Sequence, residues 1–135
     1  MVGYSGTPLP KKLGIKEGHV VALVNAPDGF DATLGELPNG AVVKRSVPKA
    51  TDVAVVFVKE RVALAKALAK YEQAIFPDGA MWAAWPKKAS KVPTDITEDV
   101  VREECLPRGL VDVKVCAIDD VWSGLKLVWR KELRR

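Results

Sequence analysis

Residues 52–85, DVAVVFVKERVALAKALAKYEQAIFPDGAMWAAW, decide the fold. Asp52 to Lys59 is a short, almost unbroken apolar run, the texture of a strand buried on both faces. From Glu60 to Ile75 the pattern changes period. Leu64, Leu68, Tyr71 and Ile75 form one helical stripe, backed by alanines at 63, 65, 67, 69 and 74. Pro77–Asp78–Gly79 stops that helix, and Ala80 to Trp85 is a second buried strand. Strand, helix and strand in this order imply two parallel strands joined by a right-handed crossover. Both belong in the middle of a sheet.

Reading outward toward the N-terminus, His19 to Ala26 (HVVALVNA) is a third buried strand between Gly18 and Pro27. The turn-rich stretch PDGFDATLGELPNG leaves room for a short helix around Asp31 to Glu36, and Ala41 to Arg45 is a short, weak strand. Residues 1–18 read as an arm and a short helix. Thr7 caps it, Pro8 takes the first turn, and Gly14 or Gly18 ends it. Toward the C-terminus, Asp95 or Thr97 caps a helix running to about Leu106, ended by Pro107 and Gly109. Leu110 to Ile118 alternates, with Val111, Val113, Val115 and Ala117 on one face and Asp112 and Lys114 on the other. Leu125, Leu127 and Trp129 alternate with Lys126, Val128 and Arg130.

Asp119 to Gly124 is too short for a crossover, so the last two strands form an antiparallel hairpin at the edge of the sheet. The final strand is expected to insert between the Ala80 and Leu110 strands, leaving the charged Leu110 strand outermost. The crossovers put both long helices on one face. Residues 1–18 and 27–40 then cover the other, or two copies meet there, giving a monomer or a homodimer. The fold class is α/β: one domain over 1–135, a three-layer Rossmann-like arrangement with a mostly parallel sheet ending in an antiparallel hairpin.

The 135-residue chain, 48% hydrophobic and 28% charged, can bury roughly two thirds of its unfolded surface as one domain. It has no apolar run long enough for a membrane helix and no apolar h-region ahead of its first lysines, so a cytoplasmic, non-membrane protein is expected. Cys105 and Cys116 sit in apolar patterns and read as small buried hydrophobes. A nucleophilic cysteine wants a cation beside it, and no spacing brings the single histidine, His19, to either. Paired zinc-ligand spacings are absent. The net charge of +4 permits an anionic ligand or nucleic acid without requiring one. The basic residues group at Lys11–Lys12, at Lys87, Lys88 and Lys91, and in the C-terminal RKELRR, which reads as a solvated end.

The parallel β/α series ending in a hairpin, including PDGAMWAAWPKK after a long helix, resembles the second half of the class I methyltransferase fold over residues 52–131. YSGTPLPKKLGIKEG, VNAPDGF, WPKKASKVPTDITEDVVRE, LVDVKVCAIDD and WSGLKLV are similar to a small bacterial family, a domain of unknown function with a YSGTPLxKKLGI opening. That second resemblance covers nearly the whole chain and implies a fold without an activity. The methyltransferase resemblance implies a Gly-rich turn after the first strand and an acid after the second to hold ribose hydroxyls. Here the first place holds NAPDGF, with Gly29 alone, and the second holds Lys44–Arg45. About 25 residues separate the first strand from Asp52, too few for the usual two βα units. The chain therefore resembles a truncated methyltransferase, and no cofactor is expected.

In open parallel sheets, ligands gather at the carboxyl ends of the strands. That rim collects Asn25, Asp28, Lys59, Trp85, Lys87, Lys88 and Trp122 as candidate ligand-binding residues. Tryptophans beside lysines suit bases and phosphates, although the same tryptophans serve equally to cap a core. Asp119–Asp120 invites a hydrolytic reading, but adjacent strand-end residues point apart and turns use Asp for their own backbone. His19 lies at the opposite, amino edge. Ser5–Gly6–Thr7 offers backbone amides to an anion or, more simply, a helix cap. No catalytic or metal residues are expected. The leading expectation is a non-catalytic domain binding a small anionic ligand or a protein partner. The alternatives are a residual S-adenosylmethionine-type transferase and an RNA- or DNA-binding accessory domain.

Overall fold

The computed structural model describes residues 6–134. In chain order these form α1 (Leu9–Leu13), β1 (Val20–Val24), α2 (Phe30–Leu34), β2 (Val42–Lys44), β3 (Val53–Phe57), α3 (Arg61–Tyr71), β4 (Ala80–Pro86), α4 (Glu98–Cys105), β5 (Leu110–Ala117) and β6 (Trp122–Trp129). The strands make one six-stranded sheet in the order β2-β1-β3-β4-β6-β5. The first four are parallel and the terminal hairpin is antiparallel. As expected from the charge pattern, β6 inserts between β4 and β5.

The two faces are built from different parts of the chain. On one, Leu64, Ala67 and Leu68 of α3 and Val101 and Cys105 of α4 pack on Val56, Met81, Ala83, Leu125 and Leu127. On the other, Leu13, Ile15, Phe30 and Leu34 pack on Val21, Val55, Trp82 and Ala84. The N-terminal third therefore covers the second face itself. The stripe on α3 is real but narrow, because alanines let the helix sit close to the sheet and leave Val62 outside.

Single groups lock these layers. The buried indole of Trp82 donates from Nε1 to the Leu13 carbonyl at 3.0 Å, which ties the last turn of α1 to the sheet. A carboxylate oxygen of Asp52 accepts from the Val20 amide at 2.7 Å, joining the starts of β1 and β3. Gly79 is demanded by space: a Cβ there would lie 2.5 Å from the Thr51 carbonyl oxygen. Thr97 caps α4, its hydroxyl accepting from the Val100 amide.

Two readings are corrected. The cap position of α1 belongs to Pro8, whose side chain makes no capping bond, so Thr7 is not the cap residue and the helix begins one residue later than expected. In β5, a bulge between Asp112 and Lys114 breaks the alternation. Asp112 consequently turns toward α4, where it accepts from Arg102 at 2.9 Å, while Lys114 pairs with Lys126 across the hairpin. Val113 and Val115, expected to share one apolar face of the strand with Val111 and Ala117, are 54% and 52% exposed.

Candidate functional site

The chain leaves β1 on one side for β2 and returns on the other for β3, so the carboxyl end of β1 is a topological switch point. Neighbouring connections diverge there and leave a crevice. A cavity of about 430 Å³ occupies that place, lined by Leu23, Asn25, Ala26, Pro27, Asp28, Gly29, Phe30, Asp31 and Arg45.

Its walls follow from the turn chemistry of NAPDGF. Asn25 has a positive φ of 59°, a conformation asparagine tolerates better than most residues. Gly29, with φ of 80°, precedes α2 and lets the chain turn sharply into it. The Phe30 amide closes the turn on the Pro27 carbonyl at 3.1 Å. The Phe30 ring meets Phe57 edge-on at 4.9 Å, and Phe57 meets Trp122 at 5.0 Å. A buried aromatic row thus underlies the cavity. Across its mouth, Arg45 directs Nη2 at both carboxylate oxygens of Asp31, each 2.6 Å away. Both partners are largely exposed, so the pair is a weak, exchangeable latch rather than a structural clamp.

Of the residues the sequence singled out, Asn25 and Asp28 line this cavity; Lys59, Trp85, Lys87, Lys88 and Trp122 do not. Lys59 is exposed beyond β3, its carbonyl accepting from the Thr94 hydroxyl at 2.6 Å. Asp95 accepts from the Arg61 amide at 2.7 Å and so fills the start of α3, where an anion otherwise sits well. Trp85 and Trp122, each 7% exposed, lie in the cores on opposite faces of the sheet. The amide of Lys87 binds the Val121 carbonyl, and Lys88 is exposed in a short 3-10 turn. Phe30 and Asp31 fall on the expected rim without having been chosen as ligand-binding residues, and Arg45 was not expected there at all. Arg45 had drawn notice only as the wrong charge for a ribose, which was the available signal.

The other candidates hold the fold. An Asp119 carboxylate oxygen accepts from the amides of Val121 and Trp122, both at 2.8 Å, as a turn-forming Asp does. His19 accepts at Nδ1 from the Lys16 amide. Burial pushes the Cys105 thiol up to about 11 and raises that of Cys116. Among the described residues, no group of three His, Cys, Asp or Glu side chains could hold a metal ion. Ser5 lies outside the described residues.

The strand order and the paired faces define a methyltransferase-like fold, and solved structures agree. The chain is similar to an S-adenosylmethionine-dependent methyltransferase from Aquifex aeolicus, with 16% identity, 93% of this chain and 89% of that one covered, and a TM-score of 0.65. A protein described as a type 11 methyltransferase from Sulfolobus solfataricus gives 11% identity, 97% and 95% coverage, and a TM-score of 0.66. Fibrillarin from Aeropyrum pernix, with natively bound S-adenosylmethionine, gives 14% identity, 93% and 70% coverage, and a TM-score of 0.55. At these identities the likeness is one of fold. No protein-family model and no curated protein matches the chain.

Proposed function

We propose that this chain is a non-catalytic ligand-binding domain on a methyltransferase-like frame, and that its site is the cavity at the carboxyl end of β1. The observation that carries the reading is Arg45. It follows β2, where a cofactor-binding Rossmann site wants an acid for ribose hydroxyls, and it already holds Asp31 at 2.6 Å. A guanidinium has no acceptor and cannot take that role. Gly29 is the only glycine in the turn after β1. These residues do not fit S-adenosylmethionine. They suit a small ligand whose anionic group takes Arg45 from Asp31 while Asn25 and Asp28 read its polar edge.

The chain's own N-terminal third covers the second face, which supports a monomer. Two free cysteines and no membrane-spanning helix among the described residues support a cytoplasmic setting. Membership of the small bacterial family with the YSGTPLxKKLGI opening belongs to the same proposal.

Calorimetry against S-adenosylmethionine and adenosine monophosphate, repeated on Arg45→Gln, tests the reading. The nucleotide should bind saturably to the wild type and not to the variant, and S-adenosylmethionine should give no saturable heat. A micromolar constant for S-adenosylmethionine would overturn the proposal in favour of a transferase.

A further inference from the structure

A second charged place lies away from this cavity, where α1 and the loop after it meet the β5–β6 hairpin. Lys114 and Lys126 are direct cross-strand partners, and so face the same side. Like charges so placed repel. From above, Lys12 donates Nζ to the Ala117 carbonyl at 3.0 Å, and Lys114 reaches the Lys12 carbonyl at 3.5 Å. The Lys126 ammonium reaches the end of α1, 3.4 Å from where a Cβ on the C-cap residue Gly14 would stand. Burial lowers the Lys126 pKa first, and the charges of Lys114 and Lys16 lower it further.

Among the described residues every ion pair is made by an arginine, and none of the four lysines has a carboxylate oxygen within 4.0 Å. The fold thus keeps Lys114 and Lys126 side by side on the hairpin, at a cost in repulsion and, at Lys126, in desolvation, with the charge of Lys16 acting on Lys126 and the Lys12 ammonium bound to the Ala117 carbonyl.

We propose that Lys114 and Lys126, with Lys16 and Lys12 beside them, form a binding site for a small diphosphate-bearing anion. An ammonium is a compact point charge that binds phosphate oxygens from any direction, and one phosphate group concentrates enough negative charge to serve several at once. A nucleic-acid backbone fits less well. It spreads its charge along a track, whereas Lys114 and Lys16 both bear on one partly buried ammonium, that of Lys126. The tryptophans that would stack bases are buried in the two cores.

The test uses inorganic pyrophosphate as probe, with a single-stranded RNA oligonucleotide as the competing arm. Pyrophosphate should bind saturably in calorimetry and raise the melting temperature. Lys126→Met should weaken it about tenfold or more, as expected for losing one charge-assisted contact, and Lys114→Gln should weaken it too. The exposed Lys66→Gln on α3 should leave pyrophosphate affinity unchanged, and loss of binding in Arg45→Gln instead of the cluster variants would place the anion in the cavity at β1 and overturn the proposal. Without ligand, Lys114→Gln should melt above the wild type, since it removes repulsion and buries nothing; a lysine placed for structure alone would melt lower. Absence of saturable pyrophosphate binding, binding indifferent to both cluster variants, or RNA binding at the cluster without pyrophosphate binding would each overturn the proposal.

Discussion

Replacing Trp82 by phenylalanine tests how the N-terminal third is held to the sheet. Trp82 is fully buried at the centre of the face that α1 and α2 cover. The change removes about three buried heavy atoms, on the order of 2 kcal/mol of lost burial at roughly 0.8 kcal/mol per carbon. It also removes the indole N–H from the Leu13 carbonyl, one of the four acceptors a helix end leaves without an internal partner. Leu13 is itself fully buried, so no solvent replaces the donor readily, and stranding the acceptor costs about 1–3 kcal/mol. The sum is about 3–5 kcal/mol, against a total of about 5–15 kcal/mol for a domain. The loss should also be uneven. At five residues α1 has little stability of its own, so its amides should lose protection before those of β3. Urea denaturation gives the total and amide hydrogen exchange gives the distribution. A loss below about 1 kcal/mol, or α1 and β3 exchanging in step, would refute the idea that this one bond anchors α1.

Leu68→Ala, in the opposite core, should cost about 2–5 kcal/mol in the same denaturation, with no selective loosening of α1. Gly79→Ala should lower stability by about 3 kcal/mol, because backbone rather than a pliable side chain stands in the way of the new methyl; a neutral result would mean that the β3 and β4 starts can part. At pH 8 a thiol reagent should modify the half-buried Cys116 first and reach Cys105 only on unfolding, as mass spectrometry of the labelled peptides would show. Since the folded Cys105 holds its proton up to about 11 against 9.0 in the open chain, stability from this thiol is present below pH 9.0 and lost as pH rises through 11.

What the sequence made legible follows from where one local rule was enough. The run from Asp52 to Trp85 has one period per element and a proline–glycine stop between helix and strand, so order, direction and central position could all be read. The insertion of β6 was legible because the charges on the Leu110 strand do not suit a sheet interior. The bulge was not, since alternation assumes a register that only the partner strand fixes. The cavity was half legible. Asn25 and Asp28 belong to a turn whose chemistry is local, whereas Arg45 meets Asp31 only because β2 lies parallel beside β1. The rim lysines and tryptophans were placed by strand ends, and a strand end says nothing about which side of the sheet a ring enters.

The same limit explains why the lysine cluster stayed hidden while less consequential basic groups stood out. Lys11–Lys12, Lys87–Lys88 and the C-terminal run are adjacent in sequence and catch the eye, yet of these only Lys12, on α1, comes near the hairpin lysines. Lys114 and Lys126 are separated by a turn and meet through hairpin register; Lys12 and Lys16 join them only because Trp82 and Leu13 fix α1 over that side. Arginine and lysine also divide the charge differently here. Arg45, Arg61, Arg102 and Arg108 each face at least one carboxylate, with Arg102 drawing on Glu98, Asp99 and Asp112 together. The acids that form ion pairs among the described residues are therefore all held by planar, forked partners, which tie α3 to α4 and α4 to β5 among other contacts. A balance summed over the whole chain comes to only +4 and hides this division. What matters for binding is the local sum, and at the paired Lys114 and Lys126 no carboxylate of the described residues lies within 4.0 Å to reduce it.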